Sequence, residues 1–340
     1  MADTKVLRLA VVGAAHPHVS YVLDELAHRT DVDLVAVSDP DPEVAAKHAA
    51  PHGGAVYRDH RRLLADHRPD VVAVAGIYGD RAAAVVDSLD AGAHVLADKP
   101  LCTSAAELAA IEAAAARASR TVSLLLEKRH YPETLAARTL LADGALGELV
   151  QIAATGPHKL NRPSRPPWFL RRATYGGIIG DLAVHDIDLV LLLTGAREGT
   201  VCAHTDRADQ EFARYGAVLL TAGPATATVE VNWLTPAASP WHGDYRMRLS
   251  GTRGTAELFW AQGRLVAVTD ERPPYEVPLP RGRRPAADAL AAFAEGRDPE
   301  VGTAASLAAS RVALLAQESA DSGGTVRGWS VEPGGTPPAG

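Results

Sequence analysis

Two side chains that often cooperate in enzymes, a carboxylate and an imidazole, stand four residues apart near the middle of the chain: Asp181 and His185. On a helix this spacing places both on one face. A carboxylate there can orient the imidazole, fix its tautomer and raise its basicity. Gly176 and Gly177 precede the pair, which predicts a tight turn followed by a helix that begins near Asp181. An N-capping aspartate followed by a buried structural histidine would give the same spacing, so the pair alone leaves both interpretations open.

A lysine is the third candidate for chemistry. Lys99 is one of only five lysines in a chain with 34 basic residues, so arginine supplies most of the positive charge elsewhere. Lysines that persist in such a chain indicate places where an amine is needed, because lysine can shift its pKa and arginine cannot. Lys99 follows an apolar run and precedes Pro100, which favours an extended conformation for it. A solvated loop lysine is the alternative interpretation.

The composition limits the classes of function. The chain has 340 residues, of which 47% are hydrophobic and 22% charged, and this indicates a globular protein of about two domains. Its net charge of −7 argues against nucleic acid as the main partner. Two cysteines and the lack of a long apolar run predict a cytoplasmic protein without a disulfide framework, signal peptide or membrane span. The histidine spacings match no usual zinc pattern, so we expect no metal.

The first 40 residues have the pattern of a dinucleotide-binding unit. An apolar strand over 7–12 ends at Gly13, a helical pattern covers 19–28, and a second strand over 34–37 ends just before Asp39. Ala15 and His18 replace two glycines of the usual fingerprint. Asp39 stands where an acid would accept the ribose hydroxyls, and no basic residue flanks it. NAD(H) is therefore favoured over NADP(H).

Strands and helices keep alternating as far as residue 126, which predicts a doubly wound parallel sheet. Ligands bind such sheets at the carboxyl ends of the strands. Two glycines, an aspartate, a lysine and a glutamate that could contact a ligand all follow predicted strand ends, namely Gly13, Gly76, Asp39, Lys99 and Glu127.

After about residue 150 the pattern changes to successive strands with short turns, followed by helices over 286–294 and 303–321. This predicts an α+β domain with a large, open, mostly antiparallel sheet. We assign 1–127 to the first domain, 128–330 to the second, and 331–340 to a disordered tail. Alternation over 225–233, with no helix long enough to cover a whole sheet face, predicts a homodimer or homotetramer formed through this sheet.

Three motifs together resemble those of the Gfo/Idh/MocA family, the glucose-fructose oxidoreductase and inositol dehydrogenase group. They are the strand, Gly13 loop and Asp39; the segment 91–100, similar to AGKHVxxEKP; and the segment 176–185, similar to GGGxxxDxGxH. The resemblance covers about residues 7–328. It implies a Rossmann domain followed by an α/β domain, and an NAD(P)-dependent dehydrogenase that moves a hydride between nicotinamide and a CH–OH group. The implied substrate is a small polyhydroxylated molecule: a sugar, cyclitol or glycoside.

The resemblance also implies roles for individual residues. His185 would accept the hydroxyl proton, Lys99 would bind and polarise the same oxygen, and Asp181 would position the substrate. Arg129 and His158 would also contact the substrate. The cofactor would lie against Gly13, Ala15, His16, His18, Asp39, Gly76, Asp98 and Lys99.

The sequence departs from the family pattern in four places besides the fingerprint. Asp98 replaces a glutamate, Gly76 and Ile77 stand where Thr-Pro is common, and Arg81 stands where histidine is common. Two other functions stay open. One is a catalytically silent sensor or regulator that keeps the dinucleotide fold, and the other is a reductase of a non-sugar ring. The polar loop over 158–172 favours a hydroxylated or anionic substrate.

Overall fold

A computed structural model describes residues 6–206 and 208–331. The chain forms two compact units rather than two consecutive segments. The first unit comprises Met1–Leu126, Ala173–Gly176 and Arg284–Leu307, and the second comprises Glu127–Arg172, Gly177–Arg283 and Ala308–Gly340. The sequence predicted a single change of domain at residue 127, so the two later returns to the first unit are a difference. Apart from Val331, the tail predicted to be disordered lies outside the described residues.

The first unit is built on a six-stranded parallel sheet with the strand order β3-β2-β1-β4-β5-β6. The predicted doubly wound sheet is therefore confirmed. Its strands are β1 (Leu7–Val12), β2 (Val32–Ser38), β3 (Ala55–Tyr57), β4 (Val71–Val74), β5 (His94–Ala97) and β6 (Val122–Leu124). Its helices are α1 (Ser20–Leu23), α2 (Pro42–Ala49), α3 (His60–His67), α4 (Arg81–Asp90), α5 (Ala105–Ala118) and α9 (Ala287–Glu295).

The helix predicted over 19–28 is divided into short pieces. Helix α1 lies between two 3-10 turns, Pro17–Val19 and Asp24–Ala27. Glu25, in the second turn, is completely buried and accepts hydrogen bonds of 2.6 and 3.0 Å from the Arg284 guanidinium. A long-range ion pair of this kind does not appear in a local helical pattern, and this explains why the sequence did not predict it.

The second unit is built on a nine-stranded sheet with the order β14-β13-β12-β11-β7-β10-β9-β8-β15. Its pairings are antiparallel except that of β7 with β10, so the predicted sheet is confirmed. The strands are β7 (Leu149–Pro157), β8 (Glu198–Thr205), β9 (Tyr215–Ala222), β10 (Ala225–Asn232), β11 (Arg246–Gly251), β12 (Gly254–Phe259), β13 (Arg264–Thr269), β14 (Arg272–Glu276) and β15 (Arg327–Ser330).

Four further helices complete the chain: α6 (Pro132–Ala142), α7 (Arg172–Tyr175), α8 (Val184–Thr194) and α10 (Thr303–Asp321). Helix α8 packs against β7, β9 and β10. Burial alternates along β9 and β10, with one face packed and the other exposed, as the alternating sequence predicted. Across the described chain, none of the helices combines the length and apolar character that a bilayer span requires.

Candidate active site

The turn after β1 brings two glycines into close contact. Gly13 has a φ of +71°, and a Cβ atom built on it would lie 2.6 Å from Cα of Gly76, which follows β4. The Gly13 amide donates to the carbonyl of Ser38 at 2.7 Å, and its carbonyl accepts from the Ala75 amide at 3.1 Å. Only glycine fits this conformation and this space. The carboxyl ends of β1, β2 and β4 therefore meet without side chains in the way, as a dinucleotide requires.

Asp39 fits its predicted place at the end of β2. Its carboxylate is buried, with Oδ2 accepting from the Ala14 amide at 2.8 Å and Oδ1 from the Asp41 amide at 2.9 Å. Each carboxylate oxygen has a second lone pair, so the group can still accept ribose hydroxyls. Ala15 lies between Ala14 and His16, whose amide donates to the Ala75 carbonyl at 2.9 Å. The residues of the first unit thus fit the adenosine and pyrophosphate parts of NAD.

Asp98 gathers three basic side chains that the sequence did not connect. Its fully buried carboxylate lies 2.8 Å from Nδ1 of His16, 2.9 Å from Nδ1 of His18 and 2.7 Å from Nη2 of Arg81. Burial would raise the pKa of Asp98, but the charge of Arg81 and the two imidazoles lower it well below its usual range. Burial lowers the pKa of His16 to about 4, so this imidazole is neutral at pH 7.

Arg81 fixes the two loops that carry Gly76 and Lys99. It is almost fully buried, and its Nε donates to the Gly76 carbonyl at 3.0 Å. Its Nη1 donates to the carbonyls of Asp98 and Pro100, each at 3.0 Å, and to that of Lys99. Lys99 itself is buried and is joined to Pro100 by a cis peptide bond. The sequence showed Arg81 only as a departure from the family pattern. Its role could not be predicted, because the carbonyls that it binds lie in two loops that are distant in sequence.

The His16, His18 and Asp98 ligand atoms lie within 4.8 Å of one another, a spacing that a cation could bridge. The Arg81 guanidinium already neutralises the same carboxylate, and both imidazoles lie at hydrogen-bonding distance from it. We therefore interpret the group as a hydrogen-bonded cluster.

Asp181 lies inside a helix, not at its start. A π-helical segment spans Ile179–Ala183 and continues into α8. The Asp181 amide already donates to the carbonyl of Gly177 at 3.3 Å, so Asp181 is not the N-cap that the alternative interpretation of the pair required. Gly177 has a φ of +118°, and a side chain there would collide with Arg172 and Gln317, so the turn needs glycine and the helix follows it at once. Such π-helical turns are frequent at functional sites.

Helix α8 faces the turn Glu127–His130 through three consecutive pairs of side chains. Nε2 of His185 lies 3.4 Å from Oε1 of Glu127, and both side chains are almost fully buried. Lys128 contacts Asp186 at 2.7 Å, and Arg129 binds Asp188 through two hydrogen bonds of 2.7 and 2.5 Å. Burial raises the pKa of Asp186 against the lowering effect of Lys128.

The structure gives contacts for two residues predicted to bind the substrate, Arg129 and His158. The guanidinium of Arg129 is 5% exposed and forms an ion pair with Asp188. His158 follows β7 and is half-buried, with its ring 4.7 Å from that of Tyr245 and 5.3 Å from that of Trp233. Its Nδ1 lies 2.9 Å from the Gly156 carbonyl oxygen, and its contact with the substrate stays a prediction.

Two family models match this chain. The model described as "Oxidoreductase family, NAD-binding Rossmann fold" covers residues 7–125, and the one described as "GFO/IDH/MocA C-terminal domain" covers residues 134–257. The chain belongs to the Gfo/Idh/MocA oxidoreductase family. This confirms the family resemblance, and the first domain of this family member is an NAD-binding Rossmann domain.

Curated relatives and solved structures agree with this assignment. D-glucoside 3-dehydrogenase of Escherichia coli is 27% identical, with 56% of this chain and 54% of that protein aligned, so the match spans about half of that relative. Human trans-1,2-dihydrobenzene-1,2-diol dehydrogenase is 26% identical over 79% of this chain and 78% of its own length. Levoglucosan dehydrogenase, solved with NADH and L-sorbose, is 19% identical, with a TM-score of 0.84 over 96% of this chain and 99% of its own, and so shows the fold.

Proposed function

We propose that this oxidoreductase is an NAD-dependent dehydrogenase that oxidises a secondary alcohol of a sugar, cyclitol or glycoside. The observation that carries the proposal is the buried His185 imidazole beside a carboxylate, in a chain whose first domain binds NAD. A buried imidazole with an acidic neighbour is suited to take up a proton at neutral pH.

Three residues have proposed catalytic roles. When bound, NAD supplies a hydride acceptor at the nicotinamide ring. His185 accepts the proton of the substrate hydroxyl, and Lys99 donates a hydrogen bond to the oxygen on which negative charge develops. Asp181 is buried in the π-helical segment, four residues before His185, and helps to position the substrate. Arg81 holds the backbone of Lys99 in place by donating a hydrogen bond to the Lys99 carbonyl.

The substrate class rests on the relatives. One relative is named for a glucoside and others for inositol and a cyclic diol. The molecules in these names all carry vicinal hydroxyl groups on a ring. A cyclic diol without sugar character is the second candidate, because the dihydrodiol dehydrogenase aligns with 79% of this chain against 56% for the glucoside dehydrogenase.

A turnover screen tests the proposal. Purified protein with NAD⁺ is offered sugars, glycosides, cyclitols and cyclic diols while NADH formation is followed. Replacement of His185 by Gln should reduce turnover roughly 10²–10⁴-fold, the contribution of a positioned general base. Lys99→Met should cause a comparable loss, and NAD⁺ binding should survive His185→Gln. His204→Gln, an exposed histidine of β8, is the matched control.

Two outcomes would contradict the proposal. Near-normal turnover of His185→Gln would remove the general base from the mechanism. Tight NAD⁺ binding without turnover of any panel member would favour a dinucleotide-binding sensor or regulator.

A homodimer or homotetramer formed through the second unit's sheet also remains a proposal, as does the cytoplasmic location predicted from cysteine usage.

A further inference from the structure

The turn Glu127–His130 carries three charged side chains in succession, and each meets a different residue of α8. Glu127 meets His185, Lys128 meets Asp186, and Arg129 meets Asp188. The sequence identified Glu127 only as a residue after a strand end, and it assigned the orientation of His185 to Asp181.

Two of the three pairs fix the position of the third. Lys128 and Arg129 contact their carboxylates at 2.7 Å or less, and all four side chains are almost fully buried. The Lys128 ammonium also lies 4.7 Å from the centre of the Trp260 ring. A backbone held on this side by two buried ion pairs cannot easily withdraw Glu127 from His185, because breaking such a pair is strongly unfavourable.

The ion pairs of this cluster leave a carboxylate beside the His185 imidazole. The Lys128 charge is balanced by Asp186 and the Arg129 charge by Asp188, whereas Glu127 has the titratable His185 as its partner. Asp181, on the π-helical turn before α8, is a further buried carboxylate. Strands β7, β9 and β10, which pack against α8, carry the exposed ionisable side chains Tyr215 and Glu230, and the turn Glu127–His130 also carries the buried His130.

We propose that Glu127 is the positioning residue of the general base: its carboxylate orients the His185 imidazole and stabilises the proton that His185 takes from the substrate. The proton moves from the substrate hydroxyl to His185 and stays on the imidazole, while Glu127 keeps its negative charge. This inference rests on the proposed role of His185, but the contact between the two side chains can be tested without substrate.

The first measurement is an NMR titration of the imidazoles in protein free of substrate. The His185 signal is assigned by its loss in His185→Gln, since the chain has 13 histidines. Glu127→Gln removes the negative charge and keeps the shape, so the midpoint of His185 protonation should fall by roughly one to three pH units, the usual effect of an opposite charge at this range. Glu133→Gln, a buried carboxylate of α6, is the matched control and should leave the midpoint unchanged.

The second measurement is the pH profile of kcat/KM. In Glu127→Gln the acidic limb should move to lower pH by the same amount as the NMR midpoint, which a purely structural role would not produce. Glu127→Asp keeps the charge but shortens the side chain. The pH midpoint of His185 protonation should therefore stay close to the wild-type value, while kcat falls. Thermal unfolding of each variant shows whether it is folded.

The outcomes separate the two proposals. An unchanged His185 midpoint in folded Glu127→Gln would overturn the role of Glu127 and leave the dehydrogenase proposal intact. A midpoint that moves in Asp181→Asn but not in Glu127→Gln would return the role to Asp181. A midpoint that depends on Glu127 in a protein whose His185→Gln variant keeps full turnover would uphold the contact and overturn the base.

Discussion

Among single residues, His16 contributes to the way the first unit responds to acid. His16 is buried against Asp98, and burial lowers its pKa from 6.5 to about 4. The unfolded chain takes up a proton as the pH falls below 6.5, whereas the folded protein does not until about pH 4. This group therefore makes no contribution above pH 6.5 and reduces the free energy of unfolding between pH 6.5 and 4.

His16→Gln should remove this part of the pH dependence. Between pH 7 and pH 5 the loss attributable to His16 is about 2 kcal/mol. The free energy of unfolding of the variant should therefore fall by about 2 kcal/mol less than that of the wild type. Urea unfolding at the two pH values measures it, with the exposed His52→Gln as control. Equal pH dependence in wild type and His16→Gln would mean that His16 is protonated in the folded state.

Asp39 determines the proposed preference for NAD(H). Asp39→Asn keeps a side-chain oxygen for one backbone amide but removes the charge that would repel a 2′-phosphate. NAD⁺ should bind more weakly, and the ratio of the NADP⁺ to the NAD⁺ dissociation constant should fall. Calorimetric titration with both dinucleotides gives this ratio. Asp41→Asn, the N-cap of α2, is the control, and tighter wild-type binding of NADP⁺ than of NAD⁺ would refute the preference.

Among secondary-structure elements, α5 shows how a sequence signal becomes a structure with one change. Ser104 and Glu107 have the spacing of a capping box, in which Ser104 is the N-cap and the Glu107 carboxylate returns to the Ser104 amide. The Ser104 hydroxyl does accept from the Glu107 amide, at 3.3 Å, but the Glu107 carboxylate binds the amide and hydroxyl of Thr103 at 2.8 and 3.0 Å. The carboxylate therefore reaches one residue further back than the motif specifies.

Loss of this cap should cost a measurable part of the stability. Ser104→Ala leaves the Glu107 amide without its acceptor and should lower the free energy of unfolding by about 1 kcal/mol. Ser104→Thr keeps the hydroxyl and should lose much less. Chemical denaturation of the three proteins under one set of conditions provides the comparison. A loss in Ser104→Thr as large as that in Ala would show that packing, not the hydrogen bond, is responsible.

Regular elements were predictable because their patterns are local. The strands β1 and β10 and the helix α10 agree with the sequence to within a residue or two, since burial imposes the periods of 2 and 3.6 that the sequence shows. The short edge strands β3, β14 and β15 were missed. Their residues are mostly exposed, so they carry no hydrophobic period that could identify them.

The glycine turn and Asp39 were predictable for a different reason. Their spacing is fixed by the backbone of a strand, loop and helix, so the positions could be found without tertiary information. Two pairs of side chains join different elements: Arg81 with Asp98, which are 17 residues apart in sequence, and Glu127 with His185, which are 58 apart. Only the fold brings such residues together, and this is why the sequence did not connect Glu127 with His185.

At the scale of the whole molecule, a helix belongs to the unit whose core buries its apolar face, whatever its position along the chain. Helix α9 comes after eight strands of the second unit, yet its Ala289, Leu290 and Phe293 belong to the core of the first unit. An amphipathic pattern shows that a helix has an apolar face but not which core receives it. The sequence therefore placed α9 in the second domain.

The open face of the second unit's sheet leads to the last prediction. On β9 the side chains of Tyr215 and Leu219 are 43% and 48% exposed, while Val218 and Leu220 between and beyond them are buried. Leu219 lies directly opposite the exposed Thr228 of β10. Exposed large apolar residues on a continuous sheet face mark association, and a closed dimer or tetramer would cover them.

If this sheet face forms a symmetric interface, Leu219→Asp should shift the protein toward monomers, because it would bring like charges and their desolvation into that interface. Light scattering coupled to size exclusion, over a range of protein concentrations, measures the mass of each species. Val56→Asp is the matched control: Val56 is 45% exposed on the edge strand β3 of the first unit, so a charge there should leave the assembly unchanged. A wild type that stays monomeric at micromolar concentration would contradict an interface on this sheet, and a wild-type mass for Leu219→Asp would place the interface on another surface.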